Sequence, residues 1–163
     1  MADFPVRLRY FEGQLLSPSD LEAEQQYHRD MRYLHNRLHG FGVVWGLDVD
    51  VSRGRVQVSP GLGIDSLGRE IVVPTALTIR LEPRRKAQRW VRDLVISWHE
   101  CQASPVASSA GGDEYTRWVE EPRLDLVARG RGASEALALA RLTRTARGTV
   151  DVDHSVRRPL APA

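Results

Sequence analysis

The stretch HNRLHGFGVVWGLDVDV, residues 35–51, decides the fold because two periodicities meet within it. Before it, apolar residues recur every three or four positions, as they do on one face of a helix. From about residue 43 onward, apolar and polar residues alternate, as they do in a half-buried strand. Gly40 and Gly42 allow the chain to reverse between the two patterns. The stretch therefore predicts a helix that ends near residue 39 and a sheet that begins near residue 43.

The segment that leads into this junction predicts a helix over residues 19–39. Ser19 or Asp20 can act as the N-cap, and acids near the start and arginines near the end match the helix dipole. One arc of this helix is apolar, and it consists of Ala23, Tyr27, Met31, Leu34 and Leu38. We expect this arc to face either the domain's own core or a partner helix.

The sequence after the junction predicts β-structure. Residues 43–100 read as an antiparallel meander with short glycine-containing turns, and RDLVISWHE, residues 92–100, as a strand through the middle of the core. Residues 102–114 have the small polar composition of a flexible loop. Further strands are expected over residues 115–155, with a break at Pro122.

These patterns predict one domain over residues 1–163. Its class is α+β, with an amphipathic N-terminal helix packed on a mostly antiparallel β-sheet. Residues 1–18 form an apolar leader, and residues 156–163 an extended tail. The run from 134 to 144 remains open, because its composition suits a short helix whereas LALARLT alternates as a strand does.

Composition and charge exclude several classes of function. The chain carries 23 basic and 21 acidic residues, a net charge of +2, and its basic clusters are short, at 84–86 and 157–158. Neither a nucleic-acid partner nor a membrane span is predicted, and no secretory signal is recognised, so we expect synthesis in the cytoplasm. The single Cys101 cannot form an internal disulfide and is predicted to be a small buried apolar residue.

Three histidines on the predicted helix are weak candidates for metal ligands. His28, His35 and His39 lie close together around the helix, and the last two have the i, i+4 spacing of zinc ligands. Asn36 occupies the position at which a metalloprotease helix carries its glutamate base. We favour an interpretation of the histidines as boundary residues beside the apolar arc, and we keep a metal-binding domain as an alternative hypothesis.

Enzyme chemistry has no other support in the sequence. GLGIDSLG, residues 61–68, looks like a phosphate loop, but a strand follows it where a nucleotide-binding loop requires a helix. The neighbouring residues 99–101, HEC, would point to alternate faces of a strand and so cannot converge. We therefore predict a protein that is not an enzyme and has no cofactor.

The apolar leader FPVRLRYFEGQLL, residues 4–16, is the better candidate for a functional surface. Its large side chains either pack inside the domain or dock on a neighbouring chain, and the sequence leaves these alternatives open. A leader of this kind beside an amphipathic helix is what an assembly module would offer.

Three motifs resemble bacteriophage tail proteins and components of contractile injection systems. They are RYFEGQLLSPSDLEAEQQYH (9–28), HNRLHGFGVVWGLDV (35–49) and VSPGLGIDSLGREIVV (58–73). The resemblance spans residues 7–81, with a weaker echo over residues 137–158. It implies an attachment module like that of tail-fibre proteins, which seats fibres or accessory proteins on a baseplate.

The resemblance also implies roles for particular residues. Those expected to dock on a partner, or to support the docking surface, are Phe4, Leu8, Tyr10, Phe11, Gln14, Leu15, Tyr27, Met31, Leu34 and Leu38. Those expected to set turns and close approaches are Gly40, Gly42, Gly46, Gly61 and Gly68.

The implied partners are baseplate or tail-fibre proteins, with self-association as a further possibility, and the implied location is a phage-tail-like particle. Because no repetitive shaft or receptor-binding tip is recognised, we expect an adaptor or small baseplate subunit. A free-standing module that binds carbohydrate or protein through its sheet is the remaining alternative.

Overall fold

The computed structural model describes residues 4–81, 89–107, 111–131 and 134–160. The N-terminal residues 1–3, the basic cluster 84–86, part of the predicted loop at 108–110 and the last residues 161–163 lie outside the described residues. Within the described ranges, one α-helix precedes twelve β-strands and a short 3₁₀ helix. The predicted α+β class, with an N-terminal helix on mostly antiparallel β-structure, is confirmed.

The helix α1 spans Pro18–Leu38, and the 3₁₀ helix spans His154–Val156. The strands are β1 (Gly42–Gly46), β2 (Val49–Ser52), β3 (Arg55–Val58), β4 (Gly61–Ile64), β5 (Glu70–Val73), β6 (Leu77–Arg80), β7 (Trp90–Ser97), β8 (Glu100–Ala107), β9 (Asp113–Glu120), β10 (Arg123–Ala128), β11 (Leu137–Arg144) and β12 (Val150–Asp153).

The described strands form four sheets, with the orders β1–β4–β5, β2–β3–β6, β10–β7–β11–β12 and β8–β9. All of these strand pairs are antiparallel. The order departs from the simple meander expected for residues 43–100, because β1 pairs with β4 rather than with β2. The physical reason is a sharp reversal at Gly46 and Leu47, whose φ angles of 59° and 58° turn the chain out of the first sheet.

A single cluster of buried apolar side chains joins the three larger sheets. Its fully buried members include Leu47, Val56, Val58, Ile71, Leu94, Ile96, Leu139 and Leu142. Strand β7 runs through this cluster, in agreement with the central strand expected from RDLVISWHE. The open choice at residues 134–144 is decided in favour of a strand, since β11 buries Leu139 and Leu142 in the same cluster.

Two expectations about the segment after β7 are wrong. The flexible loop predicted over 102–114 is for most of its length a hairpin, in which β8 and β9 pair from Glu100↔Glu120 to Ala107↔Asp113. Its small polar residues suit a hairpin exposed to solvent as well as they suit a loop. Cys101 lies on β8 and is only half-buried, because this hairpin leaves the core.

The start of α1 also differs from the predicted cap. Ser17, rather than Ser19 or Asp20, is the N-cap, and Pro18 takes the first helical position. The Asp20 backbone N–H donates to the Ser17 hydroxyl at 3.2 Å, and the Ser17 N–H donates to the Asp20 carboxylate at 2.8 Å. This reciprocal capping box satisfies two backbone donors and lowers the pKa of Asp20 through its hydrogen bonds to Ser17.

The C-terminal tail adds to the edge of β1 up to residue 160. The Val43 N–H donates to the Arg158 carbonyl at 2.8 Å, and the Leu160 N–H donates to the Val43 carbonyl at 2.8 Å. The Arg157 guanidinium donates to the Asp48 carboxylate at 2.9 Å. Residues 157–160 of the tail are thus extended and held against the first sheet, whereas residue 156 ends the 3₁₀ helix.

A charged pair beside the core joins β7 to β11. The Arg141 Nε donates to Asp93 Oδ1 at 2.8 Å, and the Gly130 N–H donates to Asp93 Oδ2 at 3.2 Å. The Arg141 hydrogen bond outweighs the opposing effect of burial, and together with the Gly130 N–H it lowers the pKa of Asp93.

This pair predicts a pH-dependent contribution to stability. A carboxyl whose pKa is lower in the folded state stabilises the fold above its ordinary pKa, and this contribution is lost as the pH falls through the folded value. Asp93→Asn should therefore lower the free energy of unfolding at pH 7 and flatten its decline below about pH 4. Urea denaturation across a pH series checks this, with exposed Asp125→Asn as the control. Parallel pH profiles for the wild type and Asp93→Asn would contradict it.

Candidate functional site

The apolar arc of α1 faces outward. The helix has 21 residues, and none of them is buried. Tyr27 and Met31 are half-buried, whereas Ala23 and Leu34 are exposed and Leu38 is 78% exposed. The arc was expected to face either the domain's own core or a partner helix. The structure shows that it does not pack in the core. No helix in the described part of the chain is long and apolar enough to cross a membrane.

Polar contacts on the opposite side of α1 fasten it to the sheets. The Asn36 side-chain amide donates to the Gly68 carbonyl and to the Glu70 carboxylate, both at 2.8 Å. Arg32 pairs with Glu70 at 3.0 Å, and Arg29 pairs with Glu100 at 3.5 Å. At about 100° per residue, these contacts lie diametrically opposite the apolar arc. The attachment of the helix therefore leaves the arc free.

The turn between β4 and β5 is the platform for this attachment, and a buried carboxylate organises it. Asp65 is fully buried, and its Oδ1 accepts the N–H groups of Leu67 and Arg69, both at 2.9 Å. Its Oδ2 accepts the Arg69 Nε–H at 2.6 Å. The Arg69 guanidinium also reaches Glu135 at 2.7 Å and lies 4.8 Å from the ring centroid of Trp98. The bonds of Asp65 restrict the turn itself, and the Arg69–Glu135 pair ties it to the segment just before β11.

Gly68 brings this turn into direct contact with the backbone of α1. Its φ is +87°, and a Cβ added there would lie 2.2 Å from the Tyr33 carbonyl oxygen. A side chain at this position would therefore force α1 away from the sheet or distort the turn.

Gly68→Ala should destabilise the protein more than Gly54→Ala does. Gly54 has a similar φ of +72° but nothing within 4 Å of an added Cβ, so its substitution carries only the backbone cost, about 1 to 2 kcal/mol. The contact with α1 should add about 1 to 3 kcal/mol at Gly68. Chemical denaturation measures both variants, and equal losses of unfolding free energy would show that the contact with α1 is unimportant.

The leader lies beside α1 but leaves most of its apolar residues in solvent. Phe4 and Phe11 are exposed, and Leu15 is 94% exposed. Leu8 and Gln14 are half-buried, and the Gln14 side chain accepts the Phe11 N–H at 3.3 Å. Phe4, Phe11 and Leu15 therefore do not pack inside the domain, whereas Leu8 and Gln14 are partly covered.

Tyr10 of the leader lies near Glu24 of the helix. Desolvation, followed by the negative charge of Glu24, raises the pKa of the Tyr10 phenol. A shallow groove of about 300 Å³ separates the two segments, and it is lined by Arg7, Leu8, Arg9, Glu24, Tyr27 and His28. The leader therefore lies beside the arc at Tyr27, and we call the leader and the arc together the leader–helix surface.

The other glycines singled out in the sequence lie where two backbones meet. An added Cβ would approach the Arg158 carbonyl oxygen to 2.6 Å at Gly42, the Pro60 carbonyl oxygen to 2.1 Å at Gly46, and the Leu47 nitrogen to 2.4 Å at Gly61. Gly40 follows the end of α1 with a φ of +86°. The junction thus combines the end of the helix, the start of β1 and the seat of the C-terminal tail.

The structure brings together two of the three candidate histidines. The Nε2 atoms of His35 and His39 are 3.3 Å apart, whereas His28 pairs with Glu24 at 3.0 Å. In the ranges that the structure describes, no group of three or more His, Cys, Asp or Glu side chains is placed to hold a metal ion. A structural zinc site uses four ligands, so this pair would need further donors.

Sequence reasoning missed two features of the surface. One is the polar attachment of α1 through Asn36 and Glu70, which no periodicity reveals because the partners are 34 residues apart. The other is the pairing of β8 with β9 into an exposed hairpin, because β8 lies mostly in the predicted loop over 102–114, whereas most of β9 lies in the strands expected over 115–155.

The fold is similar to that of chains in solved structures of TssK and of the type VI secretion system baseplate. The crystal structure of TssK matches with a TM-score of 0.57 and 13% sequence identity, over 92% of this chain and 41% of that one. A chain of the TssK–TssF–TssG baseplate subcomplex of the type VI secretion system matches with a TM-score of 0.56 and 18% identity, over 93% and 60%.

A chain of the type VI secretion system baseplate complex matches with a TM-score of 0.52 and 15% identity, over 93% of this chain and 58% of that one. No family model and no curated protein matches the sequence. This chain spans about half the length of the solved chains, and at these identities the likeness is one of fold. The resemblance to contractile injection systems noted in the sequence therefore extends to the fold of a baseplate protein.

Proposed function

We propose that this protein is a non-enzymatic structural component of the baseplate of a contractile, phage-tail-like injection particle. In this role it is an adaptor that seats fibres or accessory proteins. The observation that carries the proposal is a helix with no buried residue, whose apolar arc points away from a domain with the fold of baseplate proteins. A free monomer gains little from such a helix, whereas a subunit of an assembly can bury the arc against a neighbour.

The leader–helix surface is the proposed docking site. Its apolar residues are the exposed part of the leader and the arc of α1, and the charged side chains of Arg7, Arg9 and Glu24 line the groove between them. Specific protein interfaces combine apolar contacts with polar groups in this way. The partners we propose are baseplate or tail-fibre proteins, and the location is the assembled particle.

The attachment of α1 supports a surface that is formed before the partner arrives. The helix is capped at Ser17 and fastened through Asn36 and Glu70, so its arc needs no ordering upon binding. A preorganised surface loses less conformational entropy on association than a disordered segment does. Docking should therefore depend on the apolar side chains themselves.

Glutamate substitutions on the leader–helix surface test the proposal. Leu15→Glu and Leu38→Glu each remove a side chain whose full burial contributes about 1.5 to 3 kcal/mol, so each should weaken incorporation into particles by about tenfold or more. Both residues are exposed, so the unfolding transition should stay unchanged. The measurement is co-sedimentation of each variant with particles assembled from the complete gene cluster.

Val91→Glu is the matched control, because Val91 is also an exposed apolar residue but lies on β7. It should co-sediment like the wild type. If the wild-type protein does not co-sediment with particles, the proposal fails as a whole. If it does but both leucine variants match the control, the docking surface lies elsewhere. A free-standing module that binds through its sheet predicts instead that removal of residues 1–16 leaves ligand binding intact.

A further inference from the structure

The hairpin of β8 and β9 is the least protected part of the fold. It forms a two-stranded sheet of its own, and within the described residues neither of its edges pairs with another strand. Every residue of β9 is exposed, and Tyr115, Trp118 and Val119 are among the exposed large apolar side chains. The hairpin continues the β7–β10 pair, and the Glu121 N–H donates to the His99 carbonyl at 2.8 Å between the two ladders. Beyond that point it has only two strands, and a two-stranded sheet gains stability from a further strand.

The two edges of the hairpin differ in their ability to accept a strand. Strand β8 contains Pro105, which lacks an N–H donor, next to Ser104, whose φ is +58°. Proline and backbone irregularity are devices that block pairing at the edge of a sheet. Strand β9 contains neither proline nor glycine, and its described residues all have negative φ. The open edge is therefore that of β9.

We propose that the β9 edge pairs with the β9 edge of a second copy of this chain. The two strands run antiparallel about a two-fold axis through Tyr115. In this register Asp113 of each copy lies opposite Arg117 of the other, and the two Tyr115 rings face each other on the same side of the sheet. Cross-strand pairs of opposite charge and of aromatic rings are the contacts that stabilise antiparallel strands.

Charge selects this register from the alternatives. A two-fold axis perpendicular to the sheet places one residue opposite its own copy, so each register is defined by that residue. A register centred on Arg117 places the two copies of Arg117 opposite each other and Glu114 opposite Glu120. A register centred on Glu114 places the two copies of Glu114 opposite each other. Within β9, centring on Thr116, Trp118 or Val119 creates no pair of opposite charges, and centring on Asp113 or Glu120 places that acid opposite its own copy. Among the registers of residues 113–120, only the one centred on Tyr115 gives two attractive pairs.

The proposed pairing also ends at two copies. It creates a four-stranded sheet with the order β8–β9–β9–β8, whose outer edges are the two β8 strands with Pro105 and Ser104. Because these edges are blocked, the sheet does not extend to a third copy. This inference goes beyond the proposed function, and it concerns a different surface from the leader–helix surface.

Charge reversal on the isolated full chain tests the pairing. In Asp113→Arg, an arginine at 113 lies opposite Arg117 of the other copy, and in Arg117→Asp, an aspartate at 117 lies opposite Asp113 of the other copy. Each variant alone should therefore have half the mass in sedimentation velocity, and its dissociation constant should rise about tenfold or more. An equimolar mixture of the two variants, and the double variant Asp113→Arg/Arg117→Asp, should both restore the wild-type mass. Arg147→Glu, in the exposed turn between β11 and β12, is the control.

A cysteine cross-link checks the register directly, in a Cys101→Ala background. Tyr115→Cys places two thiols opposite each other across the axis, where Cα atoms about 4.5 to 5.5 Å apart permit a disulfide. Val119→Cys lies on the same face but far from its own copy, and it should not cross-link. The proposal is overturned if both single reversals keep the wild-type mass, if mixing fails to restore it, or if the two cysteine variants cross-link equally. If the hairpin instead pairs only with a strand of another protein, both single reversals should keep the wild-type mass.

Discussion

The buried Asp65 carboxylate is the interaction on which the arrangement of the molecule depends. It accepts two backbone N–H groups of its own turn and the guanidinium of Arg69, which in turn contacts Trp98 and Glu135. A buried carboxylate is costly unless it is paired and hydrogen-bonded, and here both oxygens have partners. The turn is therefore rigid enough to carry a 21-residue helix that buries none of its own residues.

A helix usually docks through its apolar face, because burial of that face provides most of its stability in a protein. Helix α1 docks through its polar face instead, because Asn36 and Arg32 contact the sheet and Leu38 faces solvent. The stability of α1 comes instead from the capping box at Ser17, the polar contacts and the backbone approach at Gly68. This inversion is what makes an interaction surface out of an element that would otherwise belong to the core.

The sequence was informative where structure is local. The change of period at Gly40 located the end of the helix to within a residue, and the alternation after it predicted antiparallel strands. Pairing order was not predictable, because the left-handed Leu47 that diverts β1 from β2 carries no compositional signal. The direction of the apolar arc also stayed open, since a heptad-like spacing is the same whether its partner is the same chain or another. Long-range polar contacts such as Asn36 to Glu70 decided it.

The two exposed regions of the molecule differ in their physical character. The leader–helix surface exposes large apolar side chains on both the leader and the arc, with charged side chains in the groove between them. The β9 edge also exposes Tyr115, Trp118 and Val119, but its charge order is complementary to itself. Charged pairs contribute to specificity and orientation more than to affinity. A subunit with both surfaces could use the first to bind the particle and the second to set the spacing between copies, so that loss of one leaves the other intact.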